Sequence, residues 1–212
     1  MRLTHLGHAC VRLEEGGRTL VIDPGGFSAP DALDGADAVL VTHEHADHVV
    51  PMRLAEATAA NPDLRVWTNH GVAAQLAKIA GQVTVVAHGD TFTAAGFEVA
   101  VVGEDHAEIH PELPGILNTG YLVGGEVFHP GDAFTVPDVA VGTLLIPAAA
   151  PWSRISEVVA YARAVNAPRS FPIHDAILSD AGKGLVDAFL TGSRIPVPAG
   201  YRRLAPGASA EL

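Results

Sequence analysis

Residues 37–42, DAVLVT, constrain the fold more than any other segment, because every position from Ala38 to Val41 is apolar. A short continuous apolar run of this kind is typical of a β-strand that is buried on both faces. A polar segment and then a run with helical spacing follow it, and Asn61-Pro62 ends that run. The pattern therefore predicts an α/β protein in which helices pack on a sheet.

The rest of the chain predicts the same alternation. We expect strands over 2–6, 8–15, 18–23, 37–42, 64–68, 83–87, 91–95, 97–103, 117–123, 126–130, 138–147 and 169–174. We expect helices over 50–60, 71–80, 155–165 and 180–190. The strands over 83–103 are expected to form an antiparallel group, and residues 103–116 a polar loop. Strands followed by strand–helix units occur twice, which predicts a four-layer αββα sandwich of two mixed sheets with helices outside.

Composition places the chain among single-domain proteins. Its 212 residues can bury a sizeable core, and 48% hydrophobic residues against 17% charged residues exclude a disordered chain. We therefore expect one domain over 1–212, with approximate halves 1–102 and 103–212. The single cysteine, Cys10, excludes an intramolecular disulfide and favours a reducing, cytoplasmic location. No secretory signal or membrane-spanning stretch is visible in the sequence.

Charge narrows the possible partners. Thirteen basic residues against 24 acidic ones give a net charge of −11 with the histidines neutral. A chain this acidic repels phosphate backbones, so we expect no nucleic-acid partner and no membrane partner, but a small-molecule substrate. The mean hydropathy of +0.25 leaves room for a homo-oligomer.

The strongest chemical signal is the segment His43-Glu44-His45-Ala46-Asp47-His48, directly after the buried strand. In an extended loop, side chains two residues apart point the same way, so His43 and His45 can bind one ion. The turn after them lets Asp47 and His48 face a neighbouring ion. Imidazole and carboxylate ligands suit Zn²⁺ and also Mn²⁺ or Fe. An exposed, solvated histidine-rich loop is the alternative interpretation, and the order, spacing and position of these residues favour a metal site.

This H-x-H-x-D-H motif resembles the metallo-β-lactamase superfamily. Other elements occur in the order of that family: Leu6-Gly7-His8, Ile22-Asp23-Pro24 and Phe128-His129-Pro130-Gly131-Asp132. The resemblance covers nearly the whole chain and is greatest to the small, lidless branch of metal-dependent hydrolases, which includes proteins similar to ascorbate-6-phosphate lactonase. It implies the αββα fold and two divalent metal ions.

The resemblance also implies the remaining ligands. His106 matches the histidine that this family takes from a central loop, and His110, four residues later, is the alternative. Asp132 matches a carboxylate that bridges both ions, and His174 matches a late histidine. The implied sets are His43, His45, His106 and Asp132 for one ion, and Asp47, His48, His174 and Asp132 for the other. Supporting or substrate-contacting roles are expected for His8, Asp23 and His129.

The predicted chemistry follows from two adjacent cations. Ions about 3.5–4 Å apart can share a water, lower its pKa toward 7 and polarise a carbonyl or phosphoryl oxygen. Asp47 is the expected catalytic group, which orients the nucleophile or accepts its proton. We therefore predict a dinuclear hydrolase of small esters, lactones or phosphoesters, with zinc favoured and manganese or iron as alternatives.

Two departures from the family pattern bear on the substrate. Ala133 stands where a threonine is common, and residues 147–152 (PAAAPW) replace a more polar stretch. These changes keep open a catalytically weak metal-binding or scaffold protein on the same fold. The resemblance leaves a ribonuclease or phosphodiesterase of the superfamily as a second alternative. The acidity and the lack of basic clusters argue against the second.

Overall fold

A computed structural model describes residues 1–198 and 200–212. The strands are β1 (Arg2–Gly7), β2 (Cys10–Glu15), β3 (Arg18–Ile22), β4 (Ala38–Val41), β5 (Arg65–Thr68), β6 (Val83–Val85), β7 (Thr91–Ala94), β8 (Phe97–Val102), β9 (Gly120–Val123), β10 (Val127–His129), β11 (Thr143–Pro147), β12 (Arg169–Ile173) and β13 (Ser209–Glu211). The helices are α1 (Pro51–Ala60), α2 (His70–Gln75), α3 (Ile155–Val165) and α4 (Asp180–Leu190), with a 3-10 helix over Ala77–Gln82.

The strands form two mixed sheets. The first has the order β13-β1-β2-β3-β4-β5-β6 and the second β12-β11-β10-β9-β8-β7. Strands β3 to β6 run parallel, and so do β10 to β12, whereas the hairpin-connected strands are antiparallel. A chain must cross over to add a parallel neighbour, and the crossovers contain helices between β4 and β5, between β5 and β6, and between β11 and β12, but only loops between β3 and β4 and between β10 and β11.

Three apolar clusters hold four layers together. The central cluster packs the inner faces of the two sheets, with Leu13 and Leu40 from one sheet and Val99 and Tyr121 from the other. A second cluster packs α1 and α2 on the outer face of the first sheet. The third packs α3 and α4 on the outer face of the second sheet. The predicted αββα sandwich is confirmed.

Three local predictions were wrong. Strand β6 lies in the first sheet, parallel to β5, and not in an antiparallel group with β7 and β8. The reason is that residues 70–82 form a crossover, which returns the chain to the sheet it left. The helix expected over 71–80 breaks after Gln75, and Ile79 has a non-helical φ of −122°. The strand expected over 138–147 begins only at Thr143, because Val139 is exposed and the segment before Thr143 pairs with no strand among the described residues.

Two further details were not foreseen. The second strand begins at Cys10 and not at residue 8, because Gly7 and His8 adopt left-handed backbone angles of 102° and 52° in φ and make a turn. Strand β13 pairs antiparallel with β1 and so returns the end of the chain to the first sheet. The passage from the first sheet to the second falls between Val85 and Thr91. Among the described residues, no helix has the length and apolarity needed to cross a membrane.

Candidate metal centre

The histidine-rich loop leaves the first sheet at the carboxyl end of β4. After Thr42, the chain makes one tight turn in which the amides of His48 and Val49 both donate to the His45 carbonyl, at 2.9 and 3.0 Å. Gly25 lies directly against this turn: a Cβ atom there would stand 1.8 Å from the Asp47 carbonyl oxygen. The turn is therefore held in place by a backbone approach that only glycine allows.

Side chains from both sheets meet at this loop. His43, His45 and His106 place one potential ligand atom each within 4.8 Å of one another. The same is true of His8, Asp47, His48 and His174, and of His43, His48 and Asp132. Because the groups share members, they form one continuous cluster of imidazoles and carboxylates, which we call the His/Asp cluster.

Asp132 lies at the centre of the His/Asp cluster. Its Oδ1 is 3.2 Å from His48 Nε2, and its Oδ2 is 3.0 Å from His174 Nε2 and 3.5 Å from His106 Nε2. Asp47 approaches from the other side: its Oδ2 is 3.1 Å from His8 Nε2 and 3.3 Å from His174 Nε2. The two carboxylates thus share the neighbour His174 and, with a longer distance of 3.9 Å from Asp47 Oδ2, also His48.

The donor atoms of the cluster fit a cation. Four buried atoms of the cluster have no hydrogen-bond partner among the described residues: the Nε2 atoms of His48, His106 and His174, and Asp132 Oδ1. A buried polar atom without a partner costs about 1–3 kcal/mol, so four in one place call for a common partner. Imidazole nitrogens and carboxylate oxygens are ligands of divalent transition metals, and their convergence supports metal binding here.

The imidazole rings are oriented from behind by backbone and side-chain acceptors. His174 Nδ1 donates to the Ala149 carbonyl at 2.7 Å, and His106 Nδ1 donates to the Ala107 carbonyl at 2.6 Å. His48 Nδ1 donates to Asp23 Oδ2 at 2.6 Å. With Nδ1 used in this way, each ring directs Nε2 into the cluster, which is the usual arrangement behind metal-ligating histidines.

Asp23 anchors both His48 and the start of the histidine-rich loop. It is fully buried, has a left-handed φ of 52°, and accepts from the Thr42 amide at 2.8 Å and the Thr42 hydroxyl at 2.7 Å. Its carboxylate therefore ties β3 to the start of the histidine loop as well as to His48.

His8 lies in the cluster and contacts Asp47, whereas His129 lies behind it. His8 Nδ1 accepts from the Ala176 amide at 3.3 Å, so its Nε2 carries the proton and donates to Asp47. His129 Nε2 donates to the Ala9 carbonyl at 2.8 Å, and its Nδ1 accepts from the Gly131 amide at 3.1 Å. His129 thus lies behind the turn that presents Asp132, and outside the three close groups.

The imidazoles of the cluster differ in the direction in which their pKa is shifted. Burial opposes the charged form of His48, but Asp132 and Asp23 outweigh it and hold its pKa well above the usual value. Burial is likewise outweighed at His174, where Asp132 and Asp47 raise the pKa to about 9. Burial lowers the pKa of His8, His43 and His45. Without an ion, two imidazoles therefore carry protons that a bound cation would displace.

The pKa of both carboxylates in the cluster is lowered. Burial favours the neutral acid of Asp132, but the positive His48 and the nearby imidazoles of His106 and His174 hold its pKa well below the usual range. Asp47 also has a lowered pKa, because the nearby His174 imidazole and the hydrogen bond from His8 outweigh its burial. Both groups are therefore anions at neutral pH, as metal ligation requires.

Two side chains of the site were missed by sequence reasoning. Asn118 accepts from the Asp132 amide at 2.9 Å and donates to the Pro130 carbonyl at 2.8 Å, which fixes the Asp132 turn. Trp152 donates from its indole nitrogen to Asp132 Oδ2 at 3.0 Å. Neither lies near a motif, and the Trp152 position was noted only as part of an apolar stretch.

A cavity of about 450 Å³ opens beside the cluster. His45 and His106 form its inner end, and the loop over residues 105–116 forms its wall. His110 lines this cavity and accepts from the Glu112 amide at 3.2 Å, but it lies outside the three close groups. Of the two candidate loop histidines, His106 is the one that reaches the cluster.

Comparisons with known proteins identify the family of the chain. The beta-lactamase superfamily domain matches residues 2–174. Protein Rv0786c of Mycobacterium tuberculosis is 43% identical over 197 residues, covering 90% of this chain and 92% of that protein. A UPF0173 metal-dependent hydrolase of Methanoculleus marisnigri is 32% identical over 188 residues, covering 82% of this chain and 80% of the relative. The solved structure of Igni18, a metallo hydrolase of Ignicoccus hospitalis, has a TM-score of 0.73 at 20% identity, over 100% of this chain and 98% of that one.

Fold and site together define a small metal-dependent hydrolase. The chain belongs to the metallo-β-lactamase superfamily, as the resemblance of its motifs predicts.

Proposed function

We propose that this chain is a dinuclear hydrolase of a small ester, lactone or phosphoester. The observation that carries the proposal is the convergence of unpartnered, buried Nε2 atoms on Asp132. Seven side chains contribute to the cluster in addition to His8, which is more than one four-coordinate ion can use. We propose that His43, His45, His106 and Asp132 hold one ion, and Asp47, His48, His174 and Asp132 the other.

Bound divalent ions would supply an acidified water and polarise the scissile group. The chain's own residues do the remaining work. Asp132 joins the two halves of the cluster, and Asp47, which is held by the His8 Nε2–H, is placed to orient the water and to accept its proton. For an ester, the water oxygen bonds to the acyl carbon, the bond to the alcohol oxygen breaks, and one water proton passes to the leaving alkoxide.

The stretch around residues 147–152 supports an enzyme more than a scaffold. The Ala149 carbonyl accepts from His174, and Trp152 donates to Asp132. The stretch therefore contributes a backbone acceptor and an indole donor to the site. Zinc suits the ligands best, with manganese or iron as alternatives, and a cytoplasmic location with a small-molecule substrate is our proposal.

Elemental analysis of protein purified without chelator tests the proposal. We expect about two divalent ions per chain. His45→Ala and Asp132→Ala should lose metal and lose hydrolysis of a panel of esters, lactones and phosphoesters. His110→Ala is the matched control for metal content, because it removes an imidazole from the same region but outside the cluster. Unchanged metal content and activity in Asp132→Ala would refute the proposal.

A further inference from the structure

The cavity beside the cluster has an apolar wall. Ile109, Leu113 and Ile116 line it together with Pro111 and Pro114. Ile109 and Leu113 are large apolar side chains that remain exposed, at 40% and 55%. A concave site of this size with an apolar lining is typical of a small-molecule pocket. Its place next to His45 and His106 indicates that it receives the part of the substrate that does not react.

Exposed apolar side chains also lie on the far side of the cluster, close to His8. The Phe27 ring is 55% exposed and packs edge-on against His8, with ring centroids 5.2 Å apart. Ile177 is also 55% exposed, and it directly follows Ala176, whose amide donates to His8. Exposed apolar side chains therefore stand on both sides of the His/Asp cluster, where a substrate would be desolvated.

Charge in this region has one sign. Residues 79–153 contain no lysine or arginine but nine acidic residues. Two of these, Asp105 and Glu108, line the cavity, and both are exposed. A remote carboxylate or phosphate on a substrate would meet these side chains without a guanidinium or ammonium in the wall to bind it.

Arginines near the cluster are already bonded elsewhere. Arg53 donates to the Gly25 carbonyl at 3.1 Å, and Arg203 is ion-paired with Asp175 and Asp187. Arg154 projects into solvent, with 84% of its side chain exposed, and lies 3.9 Å from Glu157. Each guanidinium therefore has a role or a direction other than the cavity.

We propose, on the basis of the hydrolase function above, that the substrate is an apolar ester or lactone without a remote anionic group. Its uncharged acyl chain lies along Ile109 and Leu113, and its reacting carbonyl lies at the cluster. Hydrolysis adds water across the C–O bond and yields a carboxylic acid and an alcohol. Glu108 and Asp105 act as specificity residues, because they repel substrates whose chain ends in a carboxylate or phosphate.

A matched pair of substrates tests the proposal. p-Nitrophenyl hexanoate and the mono-p-nitrophenyl ester of adipic acid share leaving group and chain length, but the second ends in a carboxylate. We expect kcat/KM of the metal-loaded protein to be about tenfold higher for hexanoate, with the ratio falling as salt screens the charges. Faster or equal hydrolysis of the adipate ester would overturn the inference and leave the hydrolase function standing. If neither ester is hydrolysed, both the proposed ester specificity and the proposed ester hydrolysis are wrong.

Charge variants localise the effect. Glu108→Lys should raise kcat/KM for the adipate ester relative to hexanoate by about threefold or more. Glu112→Lys is the matched control, because it makes the same change in the same loop but does not line the cavity. Leu113→Asn should lower kcat/KM for hexanoate, whereas Val139→Asn, at a residue that is 58% exposed and does not line the cavity, should not. An equal effect of Glu112→Lys and Glu108→Lys would refute the assignment to this wall.

Binding gives a readout that does not depend on turnover. Hexanamide and adipic acid monoamide are the uncleaved counterparts of the two acyl groups. Saturation-transfer NMR should show hexanamide bound more strongly by the wild type and the difference reduced in Glu108→Lys. Stronger binding of the monoamide carboxylate by the wild type would contradict the proposal.

Discussion

Trp152 shows most clearly what single residues add to this site. Its indole nitrogen donates to the central carboxylate, and its ring packs edge-on against Phe134, with centroids 5.0 Å apart, and against His106 at 6.0 Å. Tryptophan carries one donor at the end of a large apolar body, so packing fixes where that donor points. Trp152 therefore positions Asp132 rather than reacting itself.

Replacement of Trp152 by phenylalanine keeps an aromatic ring and removes the donor. We expect Trp152→Phe to fold, to lose metal affinity by about 10-fold, and to lower kcat more than it changes KM. Metal titration should change the tryptophan fluorescence of the wild type and not that of the variant.

Trp67→Phe is the control, because Trp67 stacks on Phe92 between β5 and β7, with ring centroids 5.4 Å apart. Its metal affinity and its fluorescence response should match those of the wild type. A Trp152→Phe protein with unchanged metal affinity would show that the indole hydrogen bond is dispensable.

At the scale of elements, the sequence predicted the bounds of an element best where its apolar residues are those that pack into the core. The helices over 155–165 and 180–190 were predicted with the observed bounds, because their apolar residues face the third core cluster. Pairing partners were harder: β6 is only three residues long, and its sequence does not distinguish a crossover partner from a hairpin partner. The histidine loop was visible because its potential ligands are adjacent in sequence, whereas Asn118 and Trp152 join them only through the fold.

The loop beside Gly25 allows a test of how elements position the cluster. Gly25→Ala would place a methyl group 1.8 Å from the Asp47 carbonyl, so the turn carrying Asp47 and His48 must move. We expect bound metal to fall toward one ion per chain, measured by elemental analysis.

The neighbouring Gly26→Ala provides the comparison, since its Cβ would lie 3.1 Å from the Ala46 carbonyl and needs only a small adjustment. It should keep most of its metal. Equal metal contents of the two variants would show that the close approach at Gly25 does not position the ligands.

At the scale of the molecule, ionic contacts tie the C-terminal segment to the second sheet and its helices. Arg203 pairs with Asp187 of α4 and with Asp175, the residue after His174. Tyr201 donates to Asp187 Oδ1 at 2.5 Å. Burial opposes ionisation of Asp187, but the bonds from Arg203 and Tyr201 lower its pKa below the usual value.

A lowered folded-state pKa has a defined effect on stability. Asp187 stabilises the fold above its unfolded pKa of about 3.9, and this contribution is lost as pH falls through the lower folded value. Asp187→Asn should therefore lower the free energy of unfolding at pH 7, and the difference from wild type should shrink below about pH 4. Urea unfolding of the metal-free wild type and variant, at pH 7 and below about pH 4, measures this difference in the free energy of unfolding. A difference that stays constant with pH would exclude an electrostatic origin.

Strand β13 brings the two ends of the described chain together. It pairs with β1, and the Leu212 amide donates to the Met1 carbonyl at 3.0 Å. A short peptide linker could therefore join the termini, with new ends opened at the exposed Gly16-Gly17 turn. Such a circular permutant would keep the order of the strands in both sheets, and tags placed at its new ends would leave from the β2–β3 turn.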